Sequence, residues 1–146
     1  MIIEIIEKDL SLNIYGFSGV AANKNYAERA FQLSSKMWDV VKAKNIKNRG
    51  KNIWVYEDNE RVFAGIELEN AADASGHGLE EKNITLRKYA CFKHIGPYNL
   101  IKQVGQKMIN ELTKQGLEVT LPYIEIYGHW TGDETKSETE LLMCLK

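Results

Sequence analysis

The residues best suited to chemistry stand two apart near the C-terminal end: Tyr123, Glu125 and Tyr127, alternating with Ile124 and Ile126. Successive side chains of an extended strand point to opposite faces, so the carboxylate and the two tyrosines share one face. An earlier run, Ile53-Trp54-Val55-Tyr56, has the same alternation and adds Trp54 and Tyr56 to an aromatic face. A carboxylate among aromatic rings is a plausible receptor for a cation. Each ring face attracts positive charge by roughly 0.5–2 kcal/mol, depending on exposure, and the bound charge offsets the cost of burying the carboxylate. The same pattern also suits a solvated sheet face that carries Tyr and Glu for solubility. Trp130, just beyond the strand, is a candidate cover for the mouth of a pocket.

No other set of residues has the spacing that catalysis or metal binding requires. His94 and His129 are not spaced as a metal pair, and His77 has no partner nearby in sequence. Cys91 and Cys144 match no metal motif, and no catalytic triad or phosphate loop is present. Neither a metal nor a cofactor is expected. Glu125 alone could act as a general base, which is a weak catalytic signal.

The elements that must hold these residues follow from periodicity. Residues 10–20 alternate as a strand, with Leu10, Leu12 and Ile14 against Ser11 and Asn13. A helix follows over about 25–44, with Ala27, Ala30, Phe31, Ser34, Met37, Trp38 and Val41 on one stripe. Strands are expected at 52–56 and 61–68 around the turn residues 57–60. The polar stretch 69–83 reads as a connecting loop. A second round then begins: a strand over 84–95, the Gly96-Pro97 break, a helix over about 98–115 capped by Gly116, and strands at 123–127 and 138–145. Leu100, Ile101, Val104, Met108, Ile109 and Leu112 form the second helix's stripe.

The chain therefore reads β-α-β-β twice, with half-repeats of about 1–70 and 84–146 joined by a loop at 71–83. Ile53-Trp54-Val55-Tyr56 lies over Ile124-Glu125-Ile126-Tyr127, and Gly19 over Gly96. The fold class is α+β: two pseudosymmetric modules forming an antiparallel sheet, both helices on one face, and a ligand groove between the modules. The aliphatic residues of 53–55 and 124–126 are expected to face the helices, leaving the aromatic residues and Glu125 on the open face.

With 146 residues, 44% of them hydrophobic and 27% charged, the chain is long enough to bury a core as a single domain. The formal net charge of −1 lacks the basic surplus of a nucleic-acid binder. The lysines of 36–51 are interrupted by Asp39 and read as a solvated helix end and loop. Residues 1–9 carry Glu4, Glu7 and Lys8 and lack the pattern of a signal peptide. No run approaches the roughly 20 residues of a membrane helix. The two cysteines lie in apolar runs and read as buried free thiols of a reducing compartment. A cytoplasmic protein with no membrane partner and no direct nucleic-acid partner is expected.

Three runs together resemble the GyrI-like small-molecule-binding family, the effector-binding domains of AraC-type and multidrug-sensing transcription regulators. They are Gly78-Leu79-Glu80, the run Tyr89-Ala90-Cys91-Phe92-Lys93-His94-Ile95-Gly96-Pro97-Tyr98, and Leu121-Pro122-Tyr123-Ile124-Glu125-Ile126-Tyr127; the closing strand 138–145 agrees with them. The resemblance covers essentially the whole chain. It implies two modules with a groove between them, and an acidic residue at the position of Glu125 that meets lipophilic cations. Trp54, Tyr56 and Tyr127 are its implied aromatic neighbours. Cys91 departs from the aliphatic residue expected at its position. The duplicated unit leaves no stretch for a helix-turn-helix, so a stand-alone member is expected.

Three functions fit. The first is a binding module for a small lipophilic or aromatic, cationic molecule, with Glu125 as counter-charge and Trp54, Tyr56, Tyr123, Tyr127 and Trp130 as its surroundings. The second, which the resemblance implies for some free-standing members, is a hydrolase of strained, cyclopropane-type electrophiles using Glu125. The third is an inhibitor of a partner protein, with loop 69–83 as the candidate surface. A homodimer is compatible with each.

Overall fold

The computed structural model describes all residues, Met1–Lys146. Eight strands form one antiparallel sheet: β1 (Glu4–Ile6), β2 (Leu10–Val20), β3 (Asn52–Tyr56), β4 (Arg61–Ile66), β5 (Glu80–Leu86), β6 (Tyr89–Ile95), β7 (Val119–Tyr127) and β8 (Glu138–Leu145). Two helices, α1 (Tyr26–Ala43) and α2 (Ile101–Lys114), complete the α+β fold. The strand order is β1-β6-β8-β7-β3-β4-β2-β5.

That order is symmetric about the β7–β3 pair. The repeat units β2-α1-β3-β4 and β6-α2-β7-β8 sit on either side of it. Each is extended by a strand that the sequence does not announce. β1 has only three residues, and β5 occupies residues expected to belong to the connecting loop and to the next strand. The span 84–95 is two strands joined at Arg87-Lys88, which carry no Gly, Pro or Asn to mark a turn. The leading strands are exchanged. β1 runs into β2 but pairs with β6 of the other unit, while β5 runs into β6 but pairs with β2.

Both helices lie on one face. The α1 residues Ala30, Leu33, Met37 and Val41 pack on Tyr15, Phe17, Tyr56, Val62, Ala64 and Ile66. The α2 residues Ile101, Met108 and Leu112 pack on Ala90, Leu141, Met143 and Leu145. The buried stripe of α1 is centred on Leu33, so Ala27 and Phe31, expected inside, are exposed. Leu100 and Ile109 of the second stripe are likewise exposed: Leu100 lies in a 3-10 turn ahead of α2, and the buried stripe of α2 runs through Ile101, Gly105, Met108 and Leu112, leaving Ile109 at its edge.

The assignment of the two sheet faces is the reverse of the sequence expectation. Ile53, Val55 and Ile124 point away from the helices and join Leu12, Ile14, Phe63, Ile84, Leu86, Tyr89 and Leu142 in a cluster that contains no helix residue. The cluster links β2 and β5 at one side of the sheet to β6 and β8 at the other, so the coiling of the sheet itself buries it. Each such side chain contributes roughly 1.5–3 kcal/mol on full burial. The close approach of β2 and β4 belongs to this curvature. Gly16 pairs with Gly65, and a Cβ on Gly16 would fall 1.9 Å from the Ala64 carbonyl oxygen. Residues 71–74 form a 3-10 turn, and Ala74 and Leu79 pack against the α1 cluster. No helix is long and apolar enough to cross a membrane.

Candidate functional site

Alternation puts Trp54 and Tyr56 of β3, and Tyr123, Glu125 and Tyr127 of β7, on the helix-bearing face. There Trp54, Tyr56 and Tyr123 pack with the α1 cluster, and Tyr123 and Tyr127 with the α2 cluster. The register makes Trp54 the partner of Glu125 and Tyr56 the partner of Tyr123. The site therefore lies on the two central strands of the sheet, at its pseudo-twofold axis.

Glu125 is 6% exposed. Its Oε1 accepts hydrogen bonds from Tyr56 Oη at 2.9 Å and Tyr127 Oη at 2.7 Å, and its Oε2 accepts from Tyr123 Oη at 2.7 Å. The carboxylate takes part in none of the protein's seven ion pairs. Taking such a group out of water costs several kcal/mol, which hydrogen bonds to neutral donors offset only in part.

The three phenols are held protonated. Burial pushes the hydroxyls of Tyr56, Tyr123 and Tyr127 well above the ordinary tyrosine range. The Glu125 charge and the hydrogen bonds to it act in the same direction. These groups serve as donors and are reluctant to part with their protons.

The rings form a continuous aromatic wall. Tyr56 and Tyr123 stack at 5.5 Å, and Trp54 meets Tyr127 edge-on at 4.7 Å. Two further tyrosines, neither of them among the expected site residues, extend it. Tyr26, the first residue of α1, stands edge-on to Tyr56 at 5.9 Å. Tyr98, just ahead of α2, stands edge-on to Tyr127 at 5.5 Å. The internal repeat was the signal for both: it makes Tyr56 equivalent to Tyr127, and both tyrosines occur where a helix begins. Trp130 is 65% exposed, and its ring meets Tyr98 at 6.5 Å, so it lies at the outer end of this wall and away from the carboxylate.

One register step from Glu125, Asn52, Tyr127, Thr139 and His94 form a row across β3, β7, β8 and β6. Asn52 Oδ1 accepts from Trp38 Nε1 at 2.6 Å, and His94 Nε2 donates to the Pro97 carbonyl at 3.0 Å. The two cysteines are free and half-buried, short of the full burial expected of them. His129 packs against Gly50. No group of three or more His, Cys, Asp or Glu residues is arranged to hold a metal ion.

Residues 3–146 match the model of the GyrI-like small molecule binding domain. No curated protein matches the chain significantly. Among solved structures, SAV2435 bound to tetraphenylphosphonium is 18% identical, with a TM-score of 0.69 over 100% of this chain and 94% of that one. The EcmrR C-terminal domain is 14% identical, with a TM-score of 0.72 over 100% and 99%. A hydrolase from Listeria innocua is 13% identical, with a TM-score of 0.55 over 99% and 91%. At these identities the likeness is one of fold.

Proposed function

The chain belongs to the GyrI-like small-molecule-binding family, and on that premise we propose that it binds lipophilic, aromatic cations on the helix-bearing face, with Glu125 as the counter-charge. One observation carries this reading: a buried carboxylate with three neutral donors, an aromatic wall and no cation of the protein's own. A ligand that brings a positive charge and apolar bulk supplies the missing partner and meets rings that attract it. Tyr56, Tyr123 and Tyr127 hold the carboxylate in place, Trp54 forms the opposite side, and Trp130 lies at the mouth beside Tyr98. A cytoplasmic location, where thiols stay reduced, fits the two free cysteines.

The hydrolase reading uses the same carboxylate as a base and is supported by its contact with three hydroxyls. Their raised pKa values count against it, because a leaving group would have to take its proton from a poor acid. The inhibitor reading keeps an exposed surface, since most of 69–83 is solvent-facing with only Ala74 and Leu79 packed against the core, but no observation in the structure singles it out.

Ligand-dependent thermal stability tests the proposal, with tetraphenylphosphonium and neutral triphenylmethane on wild type and Glu125→Gln. At a hundredfold excess over Kd a ligand specific to the folded state adds about 2.7 kcal/mol. A cation-selective shift that is lost in the variant supports the reading. Equal shifts for both compounds, or none, refute it. Consumption of a cyclopropane-bearing compound, abolished by Glu125→Gln, would move the assignment to the hydrolase.

A further inference from the structure

Three buried side-chain polar atoms in the whole chain have no hydrogen-bond partner among the protein's own groups: Trp54 Nε1, Thr139 Oγ1 and Ser137 Oγ. Trp54 and Thr139 belong to the site. Trp54 pairs with Glu125 on β3, and Thr139 pairs with Tyr127 on β8, so they stand on the two strands flanking β7. Ser137 is two residues before Thr139 at the entrance to β8. Thr139 is 0% exposed and Ser137 is 1% exposed. Buried polar groups are nearly always paired, and leaving one unmade costs more than a typical made bond returns. Two of the three exceptions meet Tyr127, Thr139 as its register partner and Trp54 through its ring at 4.7 Å, next to a carboxylate that lacks a counter-charge, while Ser137 lies farther out beside Gly96.

The chemistry of these groups restricts what completes them. An indole N–H can only donate, so the partner of Trp54 must be an acceptor. The threonine and serine hydroxyls can donate to the same kind of atom. We propose that the ligands of this site are lipophilic cations that also carry an oxygen acceptor, such as an ether, carbonyl or hydroxyl. The positive centre lies against Glu125, and the acceptor is held by Trp54 and Thr139 to either side of Tyr127. This rests on the cation-binding reading above and narrows the ligand class. A cation built only of hydrocarbon rings, such as tetraphenylphosphonium, satisfies the carboxylate and leaves these donors unpaired.

The test compares triphenylphosphonium cations whose fourth ring carries a methoxy group at the ortho, meta or para position with the ethyl isostere of each. Isothermal titration gives the affinity ratio within each pair on the full chain. For wild type, at least one methoxy isomer binds tenfold or more tightly than its ethyl counterpart. The ratio collapses toward one in Thr139→Val and in Trp54→Phe and survives in Thr139→Ser, which keeps the hydroxyl. Ratios near one for all three positions in wild type, or a preference that persists in both Thr139→Val and Trp54→Phe, overturn the inference. If the phosphonium ions bind in a Glu125-dependent way without any methoxy preference, only this inference falls. If none binds, or Glu125→Gln binds them as well as wild type, both it and the cation-binding reading fall.

Discussion

Trp54 and Glu125 face each other across the β3–β7 pair at positions that the internal repeat makes equivalent. The symmetry axis of the fold passes between an indole and a carboxylate. The neighbouring equivalents, Tyr56 and Tyr127, both donate to the same oxygen, Oε1 of Glu125. A symmetric frame thus presents a single charge, with a carboxylate on one side of the axis and an indole on the other.

Replacing Glu125 with Gln keeps the shape and removes the charge. Affinity for tetraphenylphosphonium is expected to fall at least tenfold, about 1.4 kcal/mol, while triphenylmethane is little affected. Tryptophan fluorescence titration measures both. Parallel losses for cation and neutral compound would show that the variant disturbs the packing of the wall and that charge is not what it reads.

The phenols that brace the carboxylate carry stability as well as geometry. Tyr127→Phe and Tyr56→Phe each remove one of the two donors to Oε1, at an expected cost of about 1–3 kcal/mol. Tyr56 is the more buried of the two and is expected to cost more. Urea denaturation gives the values, and an unchanged midpoint in either variant would contradict the bond seen for it.

Alkaline pH provides an independent readout. The folded-state pKa values of Tyr56, Tyr123 and Tyr127 are raised, so the folded chain keeps protons that the unfolded chain releases near pH 10. The stability these groups support is fully present below pH 10 and declines above it, by about 1.4 kcal/mol per pH unit for each phenol. Phenolate absorbance should show three tyrosines that ionise only as the chain unfolds. Their smooth ionisation in folded protein near pH 10 would place the hydroxyls in water.

Thr139→Val exchanges a buried, unpartnered hydroxyl for a methyl group of similar size. In the ligand-free protein this is expected to be neutral or stabilising, by up to about 1 kcal/mol, or roughly 2–4 °C in Tm for a chain of this length. A clear loss of stability would reveal a hydrogen bond that the hydroxyl makes in the free state.

The sequence told more about which side chains share a face than about what covers that face. Period-two alternation brought Glu125, Trp54 and the three tyrosines onto one face, and the repeat located the central strands. It did not reveal which face carries the helices. Ile53, Val55 and Ile124 look like the natural seat for a helix, but the coiled sheet buries them unaided, and the helices take the aromatic side. Tyr26 and Tyr98 are not among the expected site residues because each stands singly at a helix entry, where no period marks it. The Arg87-Lys88 turn escaped for a related reason: charged residues between two apolar runs read as a continuous strand when no Gly or Pro interrupts them.

The exchange of β1 and β5 also makes the molecule a clasp. Each half holds a strand that belongs, by chain order, to the other, so the halves cannot part until, besides the central β3–β7 ladder, two more are undone: the three residue pairs of β1 with β6 and the seven of β5 with β2. Proteolytic cleavage within 75–78 would leave two pieces of unequal grip. The N-terminal piece holds on through β1 and the C-terminal piece through β5, and the central β3–β7 pair lies between them. Such a nicked protein is expected to migrate as one particle in gel filtration and to come apart only in denaturant, with reassembly that depends on the concentrations of both pieces. The sheet is thus joined at its centre by β3–β7 and tied at both outer edges, which restricts how far the two halves can spread about the symmetry axis.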